Sequence, residues 1–270
     1  LDEPFGFFTY NNQGNPQRGP DGVIDDFIIY DKALSEEEIQ SDFERQPWDP
    51  EDVTVPPAPE PAPVGEPDYW WPLSEGAGDS IRDFAGETTA TNMGASWVTG
   101  PYQGGAAIRG DGEEALVETT TLGDFGSNMD GDFSVCFTMD FHDQGKFIGT
   151  RTEEVVEADP EERDDSLNGL VLQGSGSADG RPGMFLRADS NESIWDYVWG
   201  ESNYVNGGLF RVAVVKETND ATNYRVYLNG EEDNTMVHPD GNQAVSENFI
   251  DFDHPWTLLA YNDQGEPEAH

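Results

Sequence analysis

The sequence predicts an all-β protein with two antiparallel sheets packed face to face and one short helix. Three observations carry this. Short runs rich in β-branched and aromatic residues recur along the 270 residues, as at 212–215 and 224–228. Gly, Asn and Asp turns separate the runs, and no long stretch shows a 3.6-residue apolar period. Many short strands at such spacing argue for a sandwich or jelly roll.

In chain order, residues 1–10 read as an apolar strand through Phe5, Phe7, Phe8 and Tyr10, and a polar Asn/Gly/Pro loop runs to Pro20. The stretch 21–39 reads as a Gly-led turn, a strand over 23–30 and a capped helix. The strand carries Val23, Ile24, Phe27, Ile28, Ile29 and Tyr30, and Leu34 follows it. Ser35 is the expected N-cap, Glu38 its capping-box partner three residues on, and Ile39 faces back to the core. Two strands and a helical turn cannot bury a core alone, so residues 1–43 must dock on something else. Residues 44–66 centre on Pro56-Pro57-Ala58-Pro59-Glu60-Pro61-Ala62-Pro63. That density of proline gives an extended spacer, preferred here over a proline-rich ligand because it lies at a domain boundary. Residues 67–270 then supply strand-like runs at 69–73, 81–86, 95–98, 106–112, 115–118, 132–139, 146–149, 169–172, 183–188, 210–215, 224–230 and 256–261.

Six short motifs follow one another in a meaningful order. They are Trp70/Trp71 to Gly86, Trp97-Val98-Thr99-Gly100, Gly105 to Gly112, Asp132 to Val135, Val212 to Val215, and Tyr224 to Gly230. None is specific alone. In this order they resemble the laminin-G-like, concanavalin-A-like domains. The resemblance implies an antiparallel two-sheet jelly-roll sandwich. It also covers Ile24-Asp25-Asp26 to Tyr30 and Ala33-Leu34-Ser35 to Ile39, which in that family close the domain. Here they open the chain.

An internal repeat bears on that displacement. Residues 2–16 align without gaps on 253–267, an offset of 251, sharing Asp, Pro, Tyr, Asn, Gln, Gly and Pro. Self-similarity at fixed spacing is the mark of an array. Residues 1–43 are therefore expected to be the closing strands and helix of a preceding unit, or a strand donor to a neighbouring subunit. Residues 67–270 are then a sandwich lacking its own closing strand, with Val23, Ile24, Phe27, Ile28, Ile29, Tyr30, Leu34 and Ile39 at an inter-subunit joint. A permuted single domain, in which 1–43 completes 67–270, ranks lower because the repeated strand would then occur twice.

Net charge is -42, with 13 basic against 55 acidic residues. This field repels nucleic acid and anionic membranes. It suits salty water, where screening shortens self-repulsion, or an acidic extracellular protein that binds calcium. No apolar run approaches 18 residues, so no membrane insertion is expected. With no starting Met and no leader pattern, the chain reads as a mature protein or an excised fragment, extracellular or on a cell surface. The single cysteine, Cys136, lies in an apolar run and reads as a buried small hydrophobe. Asn191 heads a glycosylation triplet, Asn191-Glu192-Ser193.

Calcium is the expected cofactor, in a structural role, because hard oxygen donors abound. The resemblance implies Asp83 with Asp25 or Asp26; the alternative loop offers Asp130 and Asp132 beside Asp124. Among 55 acidic residues such pairs also arise by coincidence. Trp195, Tyr197 and Trp199 alternate and would share one strand face, a sugar platform if solvated and core if turned inward, with core the stronger reading. Arg109-Gly110-Asp111 reads as a turn, and the acidic stretch 153–165 as a solvated excursion. Catalysis finds little support. Asp251-Phe252-Asp253-His254 lacks the glutamates of a glycosidase strand, and the four histidines are scattered. The expected function is a structural or adhesive repeat unit of an extracellular acidic surface protein or filament, linked to copies of itself. A carbohydrate-binding module, with polysaccharide as partner, is the alternative.

Overall fold

The computed structural model describes residues 9–12, 15–18, 21–44, 63–86, 88–100, 105–111, 116–119, 132–142, 145–149, 152–153, 167–174, 182–187, 195–199, 202, 208–217, 224–233 and 236–237. Among them the architecture is β with a single helix. The strands are β1 (Thr9–Asn12), β2 (Asn15–Arg18), β3 (Asp21–Tyr30), β4 (Tyr69–Trp71), β5 (Ser80–Arg82), β6 (Thr89–Met93), β7 (Ser96–Thr99), β8 (Ala106–Asp111), β9 (Leu116–Thr119) and β10 (Phe133–Phe141). After these come β11 (Gly145–Gly149), β12 (Thr152–Glu153), β13 (Leu167–Gly174), β14 (Pro182–Arg187), β15 (Trp195–Trp199), β16 (Phe210–Lys216), β17 (Tyr224–Leu228), β18 (Glu231–Glu232) and β19 (Met236–Val237). The helix α1 (Glu36–Glu44) follows β3.

All pairings are antiparallel. The largest sheet runs β18-β17-β16-β10-β3-β8-β7, with β4 also paired to β3. A second runs β11-β13-β14-β15-β19 with β12 on β13, a third is β5-β6-β9, and β1-β2 form a hairpin.

Strand β3 is the centre of the largest sheet. One edge pairs with β10 along almost its whole length. The other edge pairs with β8 at Asp21 to Ile24 and with β4 at Phe27 to Ile29. The segment assigned from sequence to a preceding unit or a neighbour thus lies inside its own chain's sheet. The reason is apolar burial. Ile24, Phe27, Ile28, Ile29, Tyr30 and Leu34 are fully buried and Ile39 nearly so, while Val23 is half-buried. At about 1.5–3 kcal/mol per side chain, those seven contribute roughly 10–20 kcal/mol as an upper bound. That matches the whole stability of a typical domain, about 5–15 kcal/mol. The sheet cannot hold together around an empty central position.

The two faces of this sheet differ. One carries Phe27, Trp71, Phe133, Val135, Phe137, Met139, Val212 and Val214, all buried, with Phe27 ringed by Trp71 and Phe137 at centroid distances of 6.0 and 5.9 Å. The other is roofed by α1. There Ile28, Tyr30, Cys136, Ala213, Val215 and Tyr227 close on Leu34 and Ile39. Cys136 is fully buried in this cluster, as its sequence context predicts.

Helix α1 starts where its cap signals place it. Glu38 N–H donates to Ser35 Oγ at 3.3 Å, and Ser35 N–H donates back to Glu38 Oε2 at 3.0 Å. The far end of the roof is set by the β17–β18 hairpin. Asn229 and Gly230 adopt φ of 54° and 82°, the paired left-handed turn that suits strand twist. A Cβ on Gly230 would stand 2.6 Å from Gln40 Oε1 and 3.1 Å from the Phe43 ring.

Other expectations shift. Arg109-Gly110-Asp111 is not a turn: it is the end of β8, held to Asp21, Gly22 and Val23 of β3. The run expected over 81–86 stops at Arg82, because Asp83 folds the chain into a loop. Strand β6 was not expected; Thr89–Met93 is too polar to announce itself. The polar loop before Pro20 contains β2, paired with β1. Residues 1–8, 153–165 for the most part, and 256–261 lie outside the described residues.

Candidate functional site

Strand β3 contains an irregularity. Ile28 pairs with Cys136, but the next pair is Asp25 with Thr138, so Asp26 and Phe27 together oppose Phe137. This is a β-bulge. Asp26 takes φ 48°, a left-handed conformation that Asp tolerates better than most residues. The bulge shifts the alternation, so Asp25, Thr138 and Arg211 come side by side across β3, β10 and β16.

The carboxylate of Asp26 is held by two donors. Trp70 Nε1 donates to Oδ1 at 2.7 Å, and Arg211 Nη1 lies 2.9 Å from Oδ2. Arg211 in turn forks onto Asp42 of α1, with Nε to Oδ2 at 2.7 Å and Nη2 to Oδ1 at 3.1 Å. Its Nη1 also donates to the Asp26 carbonyl at 2.9 Å and to Thr138 Oγ1 at 3.3 Å. All three ionic side chains are 2 % exposed or less. Burying one guanidinium and two carboxylates costs several kcal/mol per ion, offset only by full pairing such as this. The cluster fastens α1 to the bulge and to β16 at one point.

Asp83 joins through Trp70. Its Oδ1 accepts from the N–H groups of Trp70 at 3.0 Å, Ala85 at 2.9 Å and Gly86 at 3.0 Å, and so caps its own loop. Trp70 therefore touches Asp83 with its backbone and Asp26 with its ring. Asp83 and Asp26, paired from the resemblance, are thus linked through Trp70. The positive charge found beside Asp26 is a guanidinium. A calcium ion at the same oxygens would face that guanidinium at contact distance, so Asp26 does not fit as a calcium ligand. Among the described residues, no group of three or more His, Cys, Asp or Glu stands together as a metal site. Asp83 Oδ2 is buried and has no hydrogen-bond donor among them.

The remaining candidates separate. Asp25 is buried on β3, near Gly100, and Asp132 is half-buried just before β10. Trp195, Tyr197 and Trp199 occupy alternate positions of β15, opposite Arg187, Phe185 and Gly183 of β14. Asp124, Asp130, Asn191 and the 251–254 string lie outside the described residues. Arg109 forks onto Asp21, with Nη2 to Oδ1 at 2.7 Å.

Arg211 and Asp42 escaped the sequence reading. Both left signals: Arg211 is the one charge within the apolar run 210–215, and Asp42 falls one helical turn beyond Ile39, on the buried face. Among the described residues, three groups have shifted acidities. The Glu38 carboxyl is held low by the Lys32 ammonium, which donates at 2.6 Å, and by the Ser35 N–H. Asp31 is raised by burial and then by the Asp68 charge; Asp68 Oδ2 accepts the Asp31 N–H at 2.6 Å. Burial raises Tyr227.

Comparison of the chain with protein-family models, curated proteins and solved structures finds no match. No helix among the described residues is long and apolar enough to cross a membrane.

Proposed function

We propose that this chain is a structural, adhesive unit of an acidic extracellular surface or filament, built as a laminin-G-like jelly-roll sandwich. One observation carries the reading. The centre of the main sheet is a segment, 21–44, that reaches the rest of the chain through a proline-rich stretch. A fold completed by a tethered central strand is a natural mechanical joint: load on the tether is borne by a buried strand with hydrogen-bonded neighbours on both edges. The ion cluster supports the same reading, because it locks α1 to the sheet. With Asp26 neutralised by Arg211, a structural calcium in this reading falls to Asp83 with Asp25, or to the loop of Asp130 and Asp132. Chelator should then lower the melting temperature.

Electron microscopy of purified material tests the proposal. Filaments or strings with an axial repeat of one domain support it. Discrete particles that bind polysaccharide in a pull-down, with binding abolished by Trp195→Ala or Trp199→Ala, would sink it in favour of a carbohydrate-binding module.

A further inference from the structure

We propose that the slot between β10 and the β4/β8 edge accepts the β3–α1 segment of a second copy of this chain, joining copies head to tail by strand exchange. This rests on the architectural reading and names the partner. The slot makes the same contacts with the segment whichever copy supplies it: the pairings of β3 with β10, β4 and β8, the Arg211–Asp42 fork, and the burial of Ile28, Tyr30, Leu34 and Ile39. The choice of donor is therefore set by the tether and not by the contacts.

The tether is generous. The chain leaves α1 at Glu44 and is back beside the start of the helix by Gly65, whose Cβ position lies 3.7 Å from Lys32 Nζ. Three residues later, Asp68 N–H donates to Ile29 O at 3.0 Å. A helix of this length spans only ~13 Å, whereas about 18 residues of proline-rich chain reach ~55 Å. Such slack closes the fold within one chain and equally delivers the segment to a neighbour. The same 15-residue pattern occurs twice in the sequence, at 2–16 ahead of β3 and at 253–267. Tethers of this kind give effective concentrations on the order of millimolar. Closure within the chain wins in dilute solution, and exchange grows as copies are crowded.

A cross-linking experiment on the full chain reads this directly. Val23 of β3 and Asp140 of β10 are paired and half-buried, so cysteines there meet disulfide geometry wherever β3 is seated. The single variants Val23→Cys and Asp140→Cys are mixed, unfolded, refolded together at near-millimolar concentration and oxidised. Wild type, whose only cysteine is the buried Cys136, is the control. The expected result is a covalent dimer whose peptide map shows position 23 of one chain bonded to position 140 of the other. Its yield should fall at least tenfold when refolding is done at micromolar concentration. In parallel, wild type refolded at rising concentration is sized by light scattering, expecting multiples of 29.8 kDa. Absence of the intermolecular 23–140 bond, with the double variant closing within a monomer, overturns the proposal. So does wild type that stays at 29.8 kDa at every concentration. A cis-only strand leaves the architectural reading standing if filaments form by other contacts, whereas sugar capture sinks that reading without moving β3.

Discussion

At the scale of single residues, Arg211 decides how α1 is held. It contacts both Asp26 and Asp42, and all three are sealed from solvent. Removing a partner from such a cluster leaves uncompensated charge, so Arg211→Met should cost about 3–5 kcal/mol in urea unfolding. Asp42→Asn, which keeps a hydrogen-bonding side chain, should cost visibly less. A loss under ~1 kcal/mol for Arg211→Met would show the cluster to be water-accessible. Glu38 offers a test by pH. Its folded pKa lies below the ordinary 4.5, so its stabilising contribution is present above 4.5 and is lost as pH falls through the lower folded value. Glu38→Gln should therefore destabilise at pH 7, by about 0.5–1 kcal/mol as capping interactions do. The gap to wild type should close in acid, and a gap independent of pH would mean that the carboxylate charge plays no part.

At the scale of elements, what could be read from sequence divides by the range of the interaction. The α1 cap and the apolar strand of β3 were legible, because each is written within a few consecutive residues, whereas the run read as strand over 224–230 ends at Leu228 and turns at Asn229-Gly230. Sheet order was not legible. Ser134 pairs with Tyr30, and Arg211 reaches Asp42 across 169 positions, and no local pattern encodes such distances. The β3 segment was read as the closing strand of a preceding unit or a donor to a neighbour; in the structure it pairs within the largest sheet of its own chain. The repeat at 253–267 reports a relationship between segments and is silent on which one occupies the slot. Strand β6 was missed for the opposite reason: its polar Thr and Asn residues give no alternation, and its neighbours β5 and β9 impose the strand. The hairpin over α1 makes a local prediction. Gly230→Ala must hold φ near 82°, at a cost of roughly 1–2 kcal/mol, and must displace Gln40 Oε1 from 2.6 Å. The glutamine tip can move, so most of the loss is backbone strain. Pairing the change with Gln40→Ala should recover only a small part of it. Full recovery in that double variant would assign the cost to the clash.

At the scale of the whole molecule, the dominant quantity is a net charge of -42 on 270 residues. Cations embedded in the described fold, such as Arg211, neutralise particular carboxylates. They leave the long-range repulsion among the rest untouched. In dilute buffer that repulsion extends about 30 Å at 10 mM salt, comparable to a domain's diameter, and contracts to roughly 3 Å at 1 M. Unfolding moves like charges apart, so the folded state gains as repulsion is screened. The melting temperature should rise steeply between 10 mM and about 1 M NaCl and flatten beyond, where the screening length is already below the spacing of surface carboxylates. The shape separates this from water-structuring effects. Salts that strengthen apolar burial act through exclusion from the surface and keep raising stability in proportion to concentration above 1 M. A melting curve insensitive to NaCl below 1 M would refute the charge argument. A rise that continues linearly to several molar would assign the effect to apolar burial instead. Strand exchange should follow the same salt dependence, since bringing two chains of this charge together is opposed by the same field. Exchanged dimer should therefore be scarce at 10 mM salt and increase with the melting temperature, and a dimer yield that falls with added NaCl would break that link.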